Sequence, residues 1–522
     1  MSIFFNNLLI LPILIPLITA ILLLLISNKY RSIKWWGSFI SSVLLVFVCL
    51  LIVIHLQKVP NATLIYSLGN LPVPIAITLV ADHLSTFFLL ITSIILLCSL
   101  LFALGHWHKE GDYFYSLVQF LTLGINGCFL TGDLFNLFVF FEIALCASYG
   151  LALYGMTIIR LKIILHYLII NLLISAFFLI AIAILYGSLG TLNIAHIYIK
   201  LSTLDLNEFN LTKIGLIFLV ISLLVKVGMW PLGFWMPLAY ARVISPVAVM
   251  FLMLSKVSLY IILRNIALIK EHCELLFEGW ELTFIFWGGL ATTIYGLILA
   301  LSYRSINYII SSGAVISSGI ILLMIAYDVN KLIAELLFYF TTATFALAGL
   351  FLLSELINRC VARTNNLPQP KGVKQIISNK ILFLGISFIF FAISFIGIPP
   401  FAKLAIYHKI FLNFYEQNSH AQINYQSWIL ALVLLFSGFI YFLAFIRYGI
   451  KTFWNVRIYN TNKLYYVEIL SISFILLILL SSSFFIKFFW SYLNKIEQQY
   501  KKPGIYTETI LPKQLIEKEL SK

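Results

Sequence analysis

The sequence predicts an all-α polytopic membrane protein with about 14 transmembrane helices. Three observations carry this. Of the 522 residues, 62% are apolar and only 10% charged, with a mean hydropathy of +1.02. A water-soluble globule carries about 25% charged and about 45–50% apolar residues. Apolar runs of about 18–25 residues recur from end to end, each long enough to cross a bilayer. The basic residues between these runs also alternate, gathering in the odd-numbered connections (Arg31, Lys34, Arg160, Lys162, Arg304, Arg359, Lys380, Arg447) and thinning in the even-numbered ones (Lys58, Lys200, Lys331, Lys409). The same composition excludes a soluble enzyme, a disordered chain and a nucleic-acid module. The formal charge of +14 is spread over loops and is read as membrane orientation, not as a polyanion site.

In chain order the runs begin at Phe5, Trp36, Val80, Tyr115, Leu134, Ile163, Gly215, Val243, Glu281, Ser305, Ala334, Ile381, Gln426 and Tyr466. Phe5–Ile26 is too long for a signal-peptide core and lacks a basic start, so it counts as the first helix. The alternation of charge places odd connections in the cytoplasm and both termini on the opposite side of a bacterial inner membrane. The division expected is 1–110 for helices 1–3, 111–265 for a first unit of five helices, 280–450 for a second, 460–490 for a last helix and 491–522 for an extramembrane tail. Arg359–Lys380, with Pro368 and Pro370, reads as an exposed connector.

Four ionisable residues fall deep inside apolar runs: Glu142, Lys226, Lys256 and Lys403. Each costs about 2.5–3.5 kcal/mol at mid-membrane, so four unpaired would cost roughly 10 kcal/mol, comparable to the stability of a whole fold. They must face one another or water inside the bundle. One reading is a structural ion pair between Glu142 and Lys226. It leaves Lys256 and Lys403 without a deep acid, and more bases than acids in a file suits proton transfer better than a lock.

Backbone breaks accompany two of the lysines. Lys226 is followed by Gly228 and Pro231, and Lys403 is preceded by Pro399 and Pro400. A proline removes a helix donor and clashes with the preceding turn. At membrane depth such a break is tolerated only against protein or a wet cavity. Two Pro-broken helices five helices apart predict two five-helix repeats, the second inverted, as in many secondary transporters. Among the histidines, His83, His106, His108 and His196 are expected at solvated helix ends, while His166 and His408 are candidates to extend a proton path. The six cysteines have no ligand spacing and read as small buried hydrophobes, with no metal site or disulfide framework. There is no G-x-G-x-x-G after a strand and no P-loop, so no nucleotide or other cofactor is expected.

The stretch TGDLFNLFVFFEIALCASYGLAL (131–153) resembles the fifth helix of the large antiporter-like membrane subunits, closely the D-type subunits of Mrp-type multisubunit cation/proton antiporters. KVGMWPLGFWMPLAYARVISPVAVMFLMLSKVSLYIILR (226–264) resembles their seventh and eighth helices. The proton-pumping M-, N- and L-type subunits of NADH–quinone oxidoreductase share the framework, but typically show His where Tyr240 stands here. The resemblance spans roughly 80–450. It implies that Glu142 is the acid of the fifth helix, Lys226 the lysine of the broken seventh and Lys256 that of the eighth, coupled by Glu–Lys switching along a hydrated axis. Asp82 and Asp133 match acidic positions at helix ends. Two departures stand out: FYFTTATFALAGLF (338–351) lacks the usual ionisable residue of the eleventh helix, leaving the hydroxyls of Thr341, Thr342 and Thr344, and Lys403 follows Pro400 more closely than in the family. The resemblance further implies partners among other membrane subunits, with protons and Na+ or K+ as cargo. The alternatives are a non-catalytic proton-pumping subunit of a respiratory complex and a transport-inactive structural subunit.

Overall fold

The computed structural model describes residues 2–58, 63–107, 112–155, 157–203, 206–272, 279–361, 379–398, 403, 405–410, 425–454 and 464–512. Eighteen helices account for most of these described residues. They are α1 (Ser2–Leu8), α2 (Leu11–Leu25), α3 (Arg31–Lys58), α4 (His83–Gly105), α5 (Phe114–Leu130), α6 (Leu134–Ala152), α7 (Ile158–Leu189), α8 (Ile194–Leu201), α9 (Leu206–Val227), α10 (Trp235–Arg242), α11 (Ser245–His272), α12 (Trp280–Ser302), α13 (Ile306–Val361), α14 (Asn379–Ile396), α15 (Tyr425–Gly449), α16 (Tyr466–Phe484), α17 (Ile486–Tyr500) and α18 (Gly504–Ile510). Eleven helical stretches among the described residues are long and apolar enough to cross a membrane, and Phe114–Leu130 and Lys380–Ile396 are shorter apolar helices.

α13 is a hairpin rather than one rod. Asp328 adopts extended backbone (φ −169°, ψ 88°). A Cβ on Gly313 would stand 2.8 Å from the Leu347 side chain. On a straight helix these residues would lie about 50 Å apart, so the two arms fold back on each other. Arms and α11 form the centre: the most apolar windows of Ser245–Ile269 and Ile306–Cys360 are wholly buried. Peripheral helices instead expose large apolar side chains such as Phe47, Leu172, Phe436 and Phe439, as lipid contact requires.

One departure from an all-helical chain lies between α3 and α4. Leu64–Ser67 and Thr78–Ala81 pair as antiparallel strands β1 and β2, in the register Leu64 with Ala81 and Ser67 with Thr78. Both are short apolar and β-branched segments, and β2 runs directly into Asp82, which caps α4. The Asp82 carboxylate accepts from the Ser85 N–H at 2.8 Å, while the Ser85 hydroxyl oxygen accepts from the Asp82 N–H. Within the expected extramembrane tail, α17 and α18 dock on one end of the bundle with Tyr492, Leu493, Ile496, Tyr500, Tyr506 and Ile510 buried.

The helix break after Lys226 is built as the proline pattern predicts. Gly228 is left-handed (φ 88°), and the Met229 N–H reaches back to the Leu224 carbonyl. The Trp230 N–H is satisfied across the helix interface by the Thr292 hydroxyl at 2.9 Å. Gly233 has no alternative, since a Cβ there would meet the Gly228 carbonyl oxygen at 1.9 Å. The second break ends α14 in the same way: Gly397 has φ 87° and the Ile398 N–H reaches the Ile393 carbonyl. Pro399 and Pro400, expected to make that break, lie outside the described residues, as do 362–378, most of the expected connector.

α12 and the first arm of α13 approach through glycine. A Cβ on Gly319 would stand 3.0 Å from the Gly289 carbonyl oxygen and 2.6 Å from Thr293 Cγ2. Gly319→Val is therefore expected to destabilise the detergent-solubilised protein by about 1–3 kcal/mol, read as a lower thermal midpoint. An unchanged midpoint would mean that the interface relaxes freely.

Candidate functional site

Lys226, Lys256 and Lys403 are all buried, and their surroundings differ. Lys256, 1% exposed on α11, donates to the Ser317 hydroxyl at 3.1 Å, and that hydroxyl donates to the Ala314 carbonyl at 2.9 Å. Lys403 donates to the Ser437 hydroxyl on α15 at 3.0 Å, and Ser437 passes the bond to the Leu434 carbonyl at 2.8 Å. Each ammonium thus reaches a helix carbonyl through one serine hydroxyl. Among the described residues no carboxylate lies within ion-pair distance of either. Gly397 makes room for Lys403, whose Cδ would be 2.5 Å from a Cβ there.

Lys226 has no hydrogen-bond partner for Nζ. It sits 4.0 Å from the centroid of Phe141 and 5.3 Å from that of Phe178. Cation–π contact offsets about 2 kcal/mol of desolvation in such a setting. Glu142 follows Phe141 on α6 and is near enough to act on Lys226 electrostatically. The two are not bonded, and Glu142 Oε1 is likewise buried without a partner. Glu142 opens onto a largely apolar groove of about 460 Å³ between α5 and α6, with Leu117, Phe120 and Phe138 in its walls. The ion-pair lock between Glu142 and Lys226 is therefore not formed in this conformation. A carboxylate and an ammonium held apart within electrostatic reach change partners at less cost than a closed buried pair.

Sequence reasoning missed the paired charges at the two ends of the bundle. At one end Arg264 grips Asp82 with two bonds, Nη1 to Oδ2 at 2.6 Å and Nη2 to Oδ1 at 2.9 Å. At the other, Arg359 bonds Glu468 at 2.6 Å and Glu355 at 3.3 Å. Trp107 Nε1 and the Ser245 N–H also donate to Glu355. Arg359, expected as a loop charge, is half-buried. Glu335, on the second arm of α13, is buried with Oε2 unbonded, and its only sequence signal is its position one residue inside an apolar run. Asp133 caps α6 by accepting from the Asn136 N–H at 2.9 Å, and burial raises its carboxyl above the usual carboxylate range.

Two histidine expectations are corrected. His83 and His196 are buried, not solvated, because α17 packs Tyr492 and Gln499 over His83 and α18 packs on α8, which carries His196. His166 and His408 are exposed, and His108 lies outside the described residues. Of the cysteines, Cys49, Cys98, Cys128 and Cys360 are buried, Cys146 is exposed beside the Glu142 groove, and Cys273 lies outside the described residues.

A multi-pass helical bundle with broken helices and uncompensated buried lysines defines a class of membrane transport proteins. The family described as NADH:quinone oxidoreductase/Mrp antiporter, transmembrane, matches residues 131–439. A probable K(+)/H(+) antiporter subunit of the D type from Rhizobium meliloti (strain 1021) is 36% identical over 471 residues, covering 86% of this chain and 87% of that protein. The D-type Na(+)/H(+) antiporter subunit of Alkalihalophilus pseudofirmus is 31% identical over 516 residues, covering 97% and 99%. A chain in the structure of the Mrp complex from Dietzia sp. DQ12-45-1b shares the fold, with a TM-score of 0.81, 20% identity and coverage of 98% and 100%. The protein belongs to the NADH:quinone oxidoreductase/Mrp antiporter family.

Glu468→Gln removes a fully buried charge that Arg359 needs, while leaving Glu355 in place. The expected loss is about 3 kcal/mol, the lower end for breaking a buried pair, measured by denaturation of the purified protein. Wild-type stability would show that Glu355 alone holds the guanidinium.

Proposed function

We propose that this chain is the D-type membrane subunit of a multisubunit monovalent cation/proton antiporter, and that it moves protons along Glu142, Lys226, Lys256 and Lys403. The observation that carries the reading is the set of three buried ammonium groups held by serines and rings instead of carboxylates. Relatives named as K(+)/H(+) and Na(+)/H(+) antiporter subunits support the cargo, and other membrane subunits of such a complex are its partners. Tyr240, buried with its hydroxyl on the Phe251 carbonyl at 2.7 Å, favours this over the second reading, a proton-pumping subunit of a quinone-reducing complex. That second reading is kept open by the family, whose description covers both.

In this mechanism a proton arriving at Lys256 adds positive charge to the axis and alters the balance between Lys226 and Glu142. Unit charges 4 Å apart at an effective dielectric near 20 interact by about 4 kcal/mol, about a thousandfold in proton affinity. Lys226 then either closes on Glu142 or returns to Phe141, and the field along the axis changes its preference for the next proton.

The finer architecture follows the same reading. Fourteen crossings result when the α13 hairpin counts as two and the two shorter apolar helices are included. Two inverted five-helix repeats, 111–265 and 280–450, are supported by the matching left-handed helix ends at Gly228 and Gly397, each close in sequence to a buried lysine. Both termini lie on the non-cytoplasmic side by the distribution of loop charge.

Glu142→Gln keeps the side-chain shape and removes the charge. In everted vesicles with the complete set of subunits, cation-driven proton exchange should fall about a hundredfold or more, with assembly unchanged. Normal exchange by assembled Glu142→Gln complex would refute the assignment.

A further inference from the structure

Lys256, Tyr260 and Arg264 are spaced by four along α11 and therefore share one face. They mark about 12 Å of helix running from the membrane interior to the end of the bundle at Asp82. Arg264 Nη2 donates to the Tyr260 hydroxyl at 3.0 Å as well as to Asp82, and the Tyr260 hydroxyl donates to the Phe129 carbonyl at 2.9 Å. Beyond the pair lies a cavity of about 30 Å³ lined by Asp82, Arg264, Gln499, Lys502 and Tyr506, room for about one water. The C-terminal helices roof it. Tyr500 donates to the Leu263 carbonyl at 2.7 Å, Gln499 accepts from the His83 N–H at 3.0 Å, and the Tyr506 ring lies 4.7 Å from the Arg264 guanidinium. Between Lys256 and the cavity the path is dry, since Phe88 and Phe129 pack on Tyr260 at 5.3 and 5.1 Å, with Phe340 behind Phe88 at 4.8 Å.

We infer that this file is a gated proton port. Lys256 exchanges protons with the tail-covered end of the bundle through the Tyr260 hydroxyl and Asp82, with Arg264 as the gate and α17–α18 as the cover. The inference rests on Lys256 being a proton carrier, as proposed above. The exchange balances without another reactant: the Lys256 ammonium becomes an amine and the Asp82 carboxylate a carboxylic acid, the proton crossing by way of the Tyr260 hydroxyl and water admitted when the aromatic packing around it opens. Asp82 accepts only when Arg264 lets go, and the guanidinium has somewhere to go, because the faces of Tyr260 and Tyr506 already hold it at 5.4 and 4.7 Å. The conformation described is the closed one, with carboxylate gripped and aromatic collar shut. A latch that merely fastened the tail would need neither the Tyr260 hydroxyl nor its register with Lys256.

The test uses everted vesicles carrying the whole complex, with rates expressed per assembled complex. Tyr260→Phe keeps the ring and removes the hydroxyl, and should lower the maximal rate of cation-driven proton exchange about a hundredfold with the apparent KM for Na+ or K+ unchanged. Asp82→Asn, which keeps a hydrogen-bonding shape but takes no proton, should do the same. Tyr506→Ala loosens the cover and should speed the decay of an imposed pH gradient in the absence of the cation. Wild-type maximal rates in both Tyr260→Phe and Asp82→Asn overturn the port, as does a raised KM with an unchanged maximal rate. Lys256→Ala separates the two ideas: if it transports normally the underlying function is wrong, whereas an inactive Lys256→Ala beside a normal Tyr260→Phe sinks the port alone.

Discussion

An ammonium group buried in a bilayer protein must be solvated by something, and in this chain the solvent is a serine hydroxyl or an aromatic face. Lys256 and Lys403 each borrow a helix carbonyl through one hydroxyl, and Lys226 rests on Phe141 and Phe178. Neither arrangement neutralises the charge. Lys256 and its serine sit on the enclosed helices, α11 and α13, whereas Lys226 and Lys403 turn inward from helices whose outer faces carry Leu and Phe side chains.

The charges divide into two kinds by what they touch. Arg264 with Asp82, and Arg359 with Glu355 and Glu468, have bonded carboxylates at opposite ends of the bundle. Glu142 and Lys226 have partners within electrostatic reach but no bond. A bonded pair holds geometry, since separating it leaves a desolvated ion. An unbonded one responds to a neighbouring charge with little rearrangement, which is what a proton-driven axis requires. The Arg359 pairs therefore hold the frame at their end, while the Arg264–Asp82 pair keeps the other end shut in this conformation.

Broken helices supply the remaining freedom. At Gly228 the backbone turns left-handed and its orphan donors find Leu224 and Thr292, so polar main chain stands two residues from Lys226 without exposure to lipid. At Gly397 the same backbone solution recurs, and the glycine also clears the space that the Lys403 side chain fills. The left-handed backbone calls for glycine at both positions, and at Gly397 the Lys403 side chain adds a steric reason.

Much of this was legible in the sequence because membrane insertion is a local test. Whether a run of about 20 residues is apolar, and whether Glu142, Lys226, Lys256 or Lys403 interrupts it, depends on that run alone. Composition, the polytopic helical class, the break at Pro231 and the four ionisable residues inside apolar runs were legible in this way, and so was the family, through two long local motifs. Tertiary structure decided what each charge touches: that Lys256 finds Ser317, 61 residues away, that Arg264 finds Asp82, 182 residues away, and that Glu142 and Lys226 stay unbonded. It also buried His83 and His196 under C-terminal helices whose docking place no local pattern announces. Hydropathy averages over a helix, whereas pairing depends on which faces of distant helices meet, and only packing determines that.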